Sequence, residues 1–253
     1  MTDPSPFPRS LAELSHEPDV PQRVYLWLAA VFVTSLLLAN ILCVKLFLFH
    51  VELPGLGTVP VEHTAGMLAF PVTFLLTDLL NEYYGRRGAR RVALLAFAMA
   101  VLALLLISAA RWLPIREGVP GTATASAFEQ IFGSSQVMYV ASLVAFLLGS
   151  FLDIALFGFF KRLTRGRLVW LRATGSTVIS QVFDSLVVTW LFFRTFPQML
   201  GLDVAEPGFV LRTAATGYLL KFALAIALTP VIYAGRAVLA RAFGLVPLPP
   251  ERA

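Results

Sequence analysis

The sequence predicts an all-α polytopic membrane protein with six transmembrane helices and both termini in the cytoplasm. Two observations carry that prediction. Of 253 residues, 58% are hydrophobic and only 14% charged, where a soluble domain carries about 25% charged residues, and the mean hydropathy is +0.78. Six apolar runs, Val24–Val44, Thr64–Tyr84, Val92–Leu113, Val137–Phe160, Ala173–Phe196 and Val210–Tyr233, each approach or exceed the roughly 20 residues a helix needs to cross the hydrocarbon.

Residues 1–23 are polar and proline-rich, with no short apolar core ahead of a small-residue cleavage site. A disordered cytoplasmic tail is expected there rather than a signal peptide, with a short surface helix through Leu11–Leu14. The transmembrane domain is expected over 24–240. After the first span, VELPGLGTVPVEH interleaves Val, Pro and Gly and reads as a hairpin on the outer face. Pro71 in the second span and Pro230 in the sixth each remove a backbone donor and are expected to loosen their helices. The third span is free of charge until Arg111. Between the third and fourth, TASAFEQIFGSS reads as a brief surface helix using Phe128, Ile131 and Phe132. Residues 241–253, ending VPLPPERA, are expected to be a second disordered tail.

Orientation follows from lysine and arginine, which accumulate on the cytoplasmic side. Arg86, Arg87, Arg90 and Arg91 lie between the second and third spans. Lys161, Arg162, Arg165, Arg167 and Arg172 lie between the fourth and fifth, and Arg9, Arg23, Arg236, Arg241 and Arg252 in the tails. The other side has Lys45, Arg111, Arg116, Arg194 and Arg212. The net charge of +5 thus records topology and contact with anionic membrane lipids, not a nucleic-acid partner. The single cysteine, Cys43, excludes an internal disulfide and reads as a packing residue. His16, His50 and His63 lack zinc spacing, and neither a P-loop nor a GxSxG elbow occurs, so no metal, cofactor or catalytic residue is expected.

Function is expected where the apolar runs are interrupted by charge, because an ionised group near the bilayer centre costs roughly 2.5–3.5 kcal/mol. In FPVTFLLTDLLNEYYG, helical spacing puts Asp78, Asn81, Glu82 and Gly85 on one strip that turns apolar through Phe74 and Pro71. Glu82 also has a plain reading as partner to the arginines that follow. In GSTVISQVFDSLVVTW, Thr177, Ser180, Gln181 and Asp184 recur every three or four residues, although Ser176 and Thr177 alone would suffice for helix packing. Span four adds Asp153, one turn after Gly149 and Ser150. Span six adds Lys221 with Gly217 and Tyr218, whose plain reading is an ion pair with Asp184 or Asp153. Asn40 reads mainly as a packing residue. Asp184, Asp78, Gln181, Asp153, Lys221, Asn81 and Ser180 are the candidate binding residues.

The strings FPVTFLLTDLLNEYYGRRGARR, AFEQIFGSSQVMYVASLVAFLLGSFLDI, WLRATGSTVISQVFDS and YLLKF resemble the queuosine precursor transporter family, once described as vitamin uptake transporters, over about Val24–Ala240. The resemblance implies uptake across the bacterial inner membrane of 7-cyano-7-deazaguanine or 7-aminomethyl-7-deazaguanine for tRNA modification. It also implies that the family's polar positions are matched at Asp78, Asp153, Gln181, Asp184 and Lys221. A guanine-like edge offers adjacent N–H donors that one carboxylate can accept together, with Asp184 the first choice and Asp78 the second. Gln181 or Asn81 would answer the carbonyl, and Phe74, Phe183 or Tyr218 would stack on the ring. A substrate-capturing subunit of an ATP-driven importer and an intramembrane enzyme are the competing readings. Without an ATP-binding motif, uptake would rely on an ion gradient, metabolic trapping or a separate ATPase, and a homodimer is compatible with any of these.

Overall fold

In a computed structural model, the described residues are 19–53, 57–133, 136–165, 168–199, 201 and 203–249. The tail before Asp19, with the helix expected over Leu11–Leu14, and residues 250–253 lie outside them. Among the described residues the regular structure is helical apart from one hairpin, with five or six helices long and apolar enough to cross a membrane. The number turns on whether the helix broken at Gly85 counts once or twice.

Helix α1 (Val20–Leu42) begins a turn before the first apolar run. Asp19 caps it, accepting from the Gln22 amide at 2.9 Å, and Pro21 sits in the first turn, where a missing N–H costs nothing. Strands β1 (Leu46–Leu53) and β2 (Gly57–Thr64) then form the expected antiparallel hairpin, with Leu46 opposite Thr64. A 3-10 turn, Ala65–Ala69, leads into α2 (Phe70–Trp112). Pro71 lies in the first turn of α2, so it starts this helix rather than loosening it.

At Gly85 the backbone of α2 leaves helical geometry, with φ 68° and ψ −179°, a region open essentially to glycine alone. The contacts of α1 give the consequence. Tyr25 packs on Tyr84 with ring centroids 4.9 Å apart and donates to the Gly88 carbonyl at 3.0 Å, touching both sides of the break. At the other end of α1, a Cβ on Gly66 would run into the Ala39 carbonyl oxygen, and Asn40 and Ile41 share a small cleft with Leu104 and Ile107. Both arms, 70–84 and 86–112, therefore run back along α1. The expected basic loop shrinks to a single glycine, and Arg86, Arg87, Arg90 and Arg91 belong to the second arm.

Helix α3 (Ala125–Phe132) is the expected surface helix, capped by Thr124 and tied to the end of α2 by Arg111 and Glu129 at 2.7 Å. Helix α4 (Gln136–Leu163) runs against the second arm, Tyr139 donating to the Ala100 carbonyl at 3.2 Å. Helix α5 (Val169–Trp190) lies antiparallel to α4, meeting it at Gly149 with Asp184, at Asp153 with Ser180 and at Phe160 with Gly175. A π-helical turn, Leu191–Thr195, and the short α6 (Phe196–Met199) follow. Helix α7 (Pro207–Phe243) returns past α5 and the first arm of α2. It outruns the expected sixth span, taking in Arg236 and Arg241, and Pro230 lies inside it.

Part of the expected second tail is ordered against the bundle. Gly244 ends α7 in the left-handed conformation with the Leu245 amide bonded to Leu239, a glycine C-cap. The chain then folds back, Leu245 packing beside Val24, Leu79 and Tyr83, and the Leu248 amide donating to the Glu82 carbonyl at 2.9 Å. The start of α1, Gly85 and the end of α7 thus share one end of the bundle.

The packing is inverted relative to a soluble protein. Leu26, Trp27, Leu105, Leu106 and Leu219 are each more than half exposed, while Asp78, Asn81, Glu82, Lys161 and Ser180 are buried. An apolar exterior of this extent suits lipid rather than water. Ala93, Ala96 and Ala100, all buried, keep the second arm of α2 thin where helices close in.

Two outcomes follow. Replacing Gly85 with Ala forces a Cβ into a disfavoured backbone region at about 1–3 kcal/mol, so the detergent-purified variant is expected to melt several degrees lower than wild type. The hydrogen bonds from Arg111 hold the Glu129 carboxyl below the ordinary glutamate range. That tether is therefore present above the ordinary range and lost as pH falls through the lowered value. The protection of α3 amides, after correction for the intrinsic pH dependence of exchange, is expected to be flat through neutral pH and to fall only in acid.

Candidate functional site

The polar side chains of four helices meet at two levels inside the bundle. At the first level Lys221 on α7 donates to Asp184 on α5, Nζ to Oδ2, at 2.6 Å. The Lys221 ammonium also lies 4.5 Å from the ring centroid of Phe70, at the start of α2. Gly149 on α4 faces the pair, and a methyl group there would touch Asp184 Oδ1 at 3.4 Å. Of the alternatives for Lys221, the partner is Asp184. The pair is not sealed: the Asp184 side chain keeps 14% of its surface exposed. Next to it, Asp153 accepts from the Ser180 hydroxyl at 3.0 Å, both residues being buried.

The second level lies at the end of the bundle that holds Gly85. Glu82 pairs with Lys161 on α4 at 3.4 Å and with Arg236 on α7 at 3.3 Å. Lys161 Nζ also donates to the Glu82 carbonyl at 3.1 Å, the same oxygen that takes the Leu248 amide. Glu82 thus reaches across to other spans, beyond the neighbouring arginines expected to answer it. Lys161, expected in a basic loop, is only 1% exposed. The stem of Arg86 crosses Gly158 so closely that a Cβ there would meet Arg86 Cδ at 2.7 Å.

Asp78 and Asn81 are buried on the first arm of α2, one turn or less from Glu82. Among the described residues, neither amide atom of Asn81 is hydrogen bonded, nor are Gln181 Oε1 and Ser185 Oγ. Buried polar atoms are satisfied in the great majority of cases. Unused donors and acceptors on Asn81 and Gln181 are what water or a polar ligand would fill. The Thr177 side chain lies outside the described set. Asn40 donates to the Leu36 carbonyl of its own helix at 3.0 Å, in keeping with its packing role.

Of the three rings considered for stacking, Phe183 is 41% exposed on the bundle exterior. Phe74 packs on Phe70 and Tyr218 on Phe222, at 5.7 and 6.0 Å between centroids. Phe70, which does reach the ion pair, escaped the sequence reading because it is one of 21 phenylalanines. Lys161 carried a usable signal. It follows Asp153 and Phe157 at intervals of four, on one helical face.

An apolar exterior around buried ion pairs drawn from several long helices defines a multi-pass membrane protein. The family model described as "Putative vitamin uptake transporter" matches residues 64–235. Similar proteins include the "Probable queuosine precursor transporter" of Bacillus subtilis, 32% identical over 78% of each chain. The "Queuosine precursor transporter" of Escherichia coli is 31% identical over 53% of this chain and 57% of its own. A "Probable queuosine precursor transporter" of Haemophilus influenzae is 23% identical over 75% of this chain and 78% of its own. The chain belongs to this queuosine precursor transporter family. No solved structure matches it.

Lys161→Met leaves Glu82 with Arg236 as its remaining ion-pair partner, so the melting temperature is expected to fall, by less than the roughly 3–5 kcal/mol of a fully stranded buried charge. Adding Arg236→Met is expected to cost more than the two single losses together, read as coupling in a double-mutant cycle.

Proposed function

We propose that this chain takes up a queuosine precursor, 7-cyano-7-deazaguanine or 7-aminomethyl-7-deazaguanine, across the bacterial inner membrane. In this reading it has six spans, with the break at Gly85 as a turn between the second and third, and both termini in the cytoplasm. The end of the bundle bearing Gly85 carries Arg86, Arg87, Arg90, Arg91, Arg162, Arg165, Arg236 and Arg241, which supports a cytoplasmic placement. The relatives' names supply the substrate class.

The observation that carries the reading is the partly exposed Asp184 carboxylate on α5, paired with Lys221 of α7 beside the Ser180–Asp153 bond to α4 and the Phe70 ring of α2. In the bound state its oxygens accept the ring N–H and exocyclic amine of the deazaguanine. Gln181, one turn from Asp184, answers the carbonyl through Nε2, while Asn81, with both amide atoms unused, lies at the Glu82 level and lines the path beyond. Asp153, Ser180, Lys221 and Asp78 complete the polar lining of an intramembrane cavity. Opening that cavity to alternate sides carries the ligand across.

The test is uptake of labelled 7-cyano-7-deazaguanine by cells that cannot make it. Cells expressing the protein are expected to accumulate label and to restore queuosine in tRNA. Asp184→Asn is expected to lower uptake at least roughly tenfold, the cost of losing a hydrogen-bonded charge, and Asp78→Asn to lower it less, both at normal membrane levels. Wild-type rates for both variants would remove the carboxylates from the site, and no uptake by wild type would remove the substrate class.

A further inference from the structure

We propose that Lys221 is an exchangeable counter-ion: the ligand's paired N–H donors displace its ammonium from Asp184, and the face of Phe70 receives it. The inference rests on the uptake reading above and adds to it what the ligand displaces.

Three contacts support the exchange. Lys221 already bridges two seats, bonded to Asp184 at 2.6 Å and lying 4.5 Å from the Phe70 centroid. A cation can be held over an aromatic face without a carboxylate, most firmly where water is excluded, and Lys221 is only 5% exposed. Asp184 Oδ1 looks toward Gly149, where even a methyl group would be in contact at 3.4 Å. With glycine there, no α4 side chain caps Oδ1 at that point, and the ligand edge takes up the carboxylate as the ammonium leaves Oδ2. Gln181 Oε1 and Ser185 Oγ, both buried and without a hydrogen bond among the described residues, lie within a turn of Asp184 on α5.

The competition sets a cost. A short charge-assisted contact holds Asp184 in the empty protein, and any ligand that takes the carboxylate must replace it. That cost weakens all such ligands alike and cancels from the ratio of any two, which the number of N–H donors sets instead. The cost is smaller when the departing ammonium has another place to rest. Lys221 acts as a positioning residue, and Phe70, which opens α2, as its second seat.

The experiment compares 7-deazaguanine with 7-deazahypoxanthine, which lacks the amine, as inhibitors of labelled 7-cyano-7-deazaguanine uptake. In wild type the inhibition constants are expected to differ by at least roughly tenfold, the worth of one hydrogen bond to a charged group. In Lys221→Gln no ammonium has to be moved, so adding Phe70→Leu is expected to change the 7-deazaguanine constant less than about twofold there, against roughly 3- to 30-fold with Lys221 present. A merely structural lysine, or a Phe70 that touches the ligand, would leave the effect of Phe70→Leu the same in both backgrounds. That result, or equal inhibition by the two ligands in wild type, overturns the inference, whereas absence of uptake in wild type overturns the function proposed above instead. If Lys221→Gln does not reach the membrane, Phe70 decides. Phe70→Leu is expected to weaken 7-deazaguanine inhibition by roughly 3- to 30-fold and Phe70→Tyr to restore it. Equal constants for leucine and tyrosine also overturn the proposal.

Discussion

A charge buried among lipid-embedded helices must find an opposite charge or water, and the arrangement of this bundle follows from how that demand is met. Lys221, Lys161 and Arg236 each reach a carboxylate on a different helix. These pairs bind α2, α4, α5 and α7 to one another at points where apolar contact alone would leave them free to slide. Lipid tails offer no hydrophobic driving force between helices. In such an interior the polar contacts carry more of the specificity of packing than they do in a water-soluble core.

The two levels differ in character. The cluster around Glu82 is nearly sealed, with Lys161 and Glu82 almost wholly buried and the chain after α7 folded over it. The cluster around Asp184 is looser, bordered by glycine, by an aromatic face and by amide and hydroxyl groups with bonding capacity to spare. Three helices meet at the tight end through ion pairs, which rearrange as discrete states rather than deforming continuously.

Much of the fold was legible in the residues because lipid imposes a length and a composition on every crossing. Long apolar helices, the hairpin after the first of them and the short helix before α4 appear where patterning put them. The boundaries were less legible. Arg236 and Arg241 look like tail residues by composition, yet α7 continues through them, since long basic side chains can extend from a helix end toward water. The loop expected around Arg86 vanished because one glycine, with φ 68°, accomplishes a turn that composition assigns to several residues. In the site, spacing placed Asp184, Gln181 and Ser180 on one strip. It also put Asp78 with Asn81, and Lys221 among the possible partners of Asp184. It could not supply Phe70, nor the reach of Glu82 across to α4 and α7, because neighbours from different helices leave no periodic mark.

The central claim is that polar groups of several spans border one interior place that water and ligand both reach. Ser185 tests it most directly, since its buried hydroxyl is unused among the described residues and lies one residue from Asp184. In a Cys43→Ser background, the thiol of Ser185→Cys is expected to react with a small water-soluble reagent and to be protected by 7-cyano-7-deazaguanine, while that of Leu105→Cys, facing lipid, stays inert throughout. A thiol at 185 that never reacts, or one that reacts equally with and without ligand, would contradict the account.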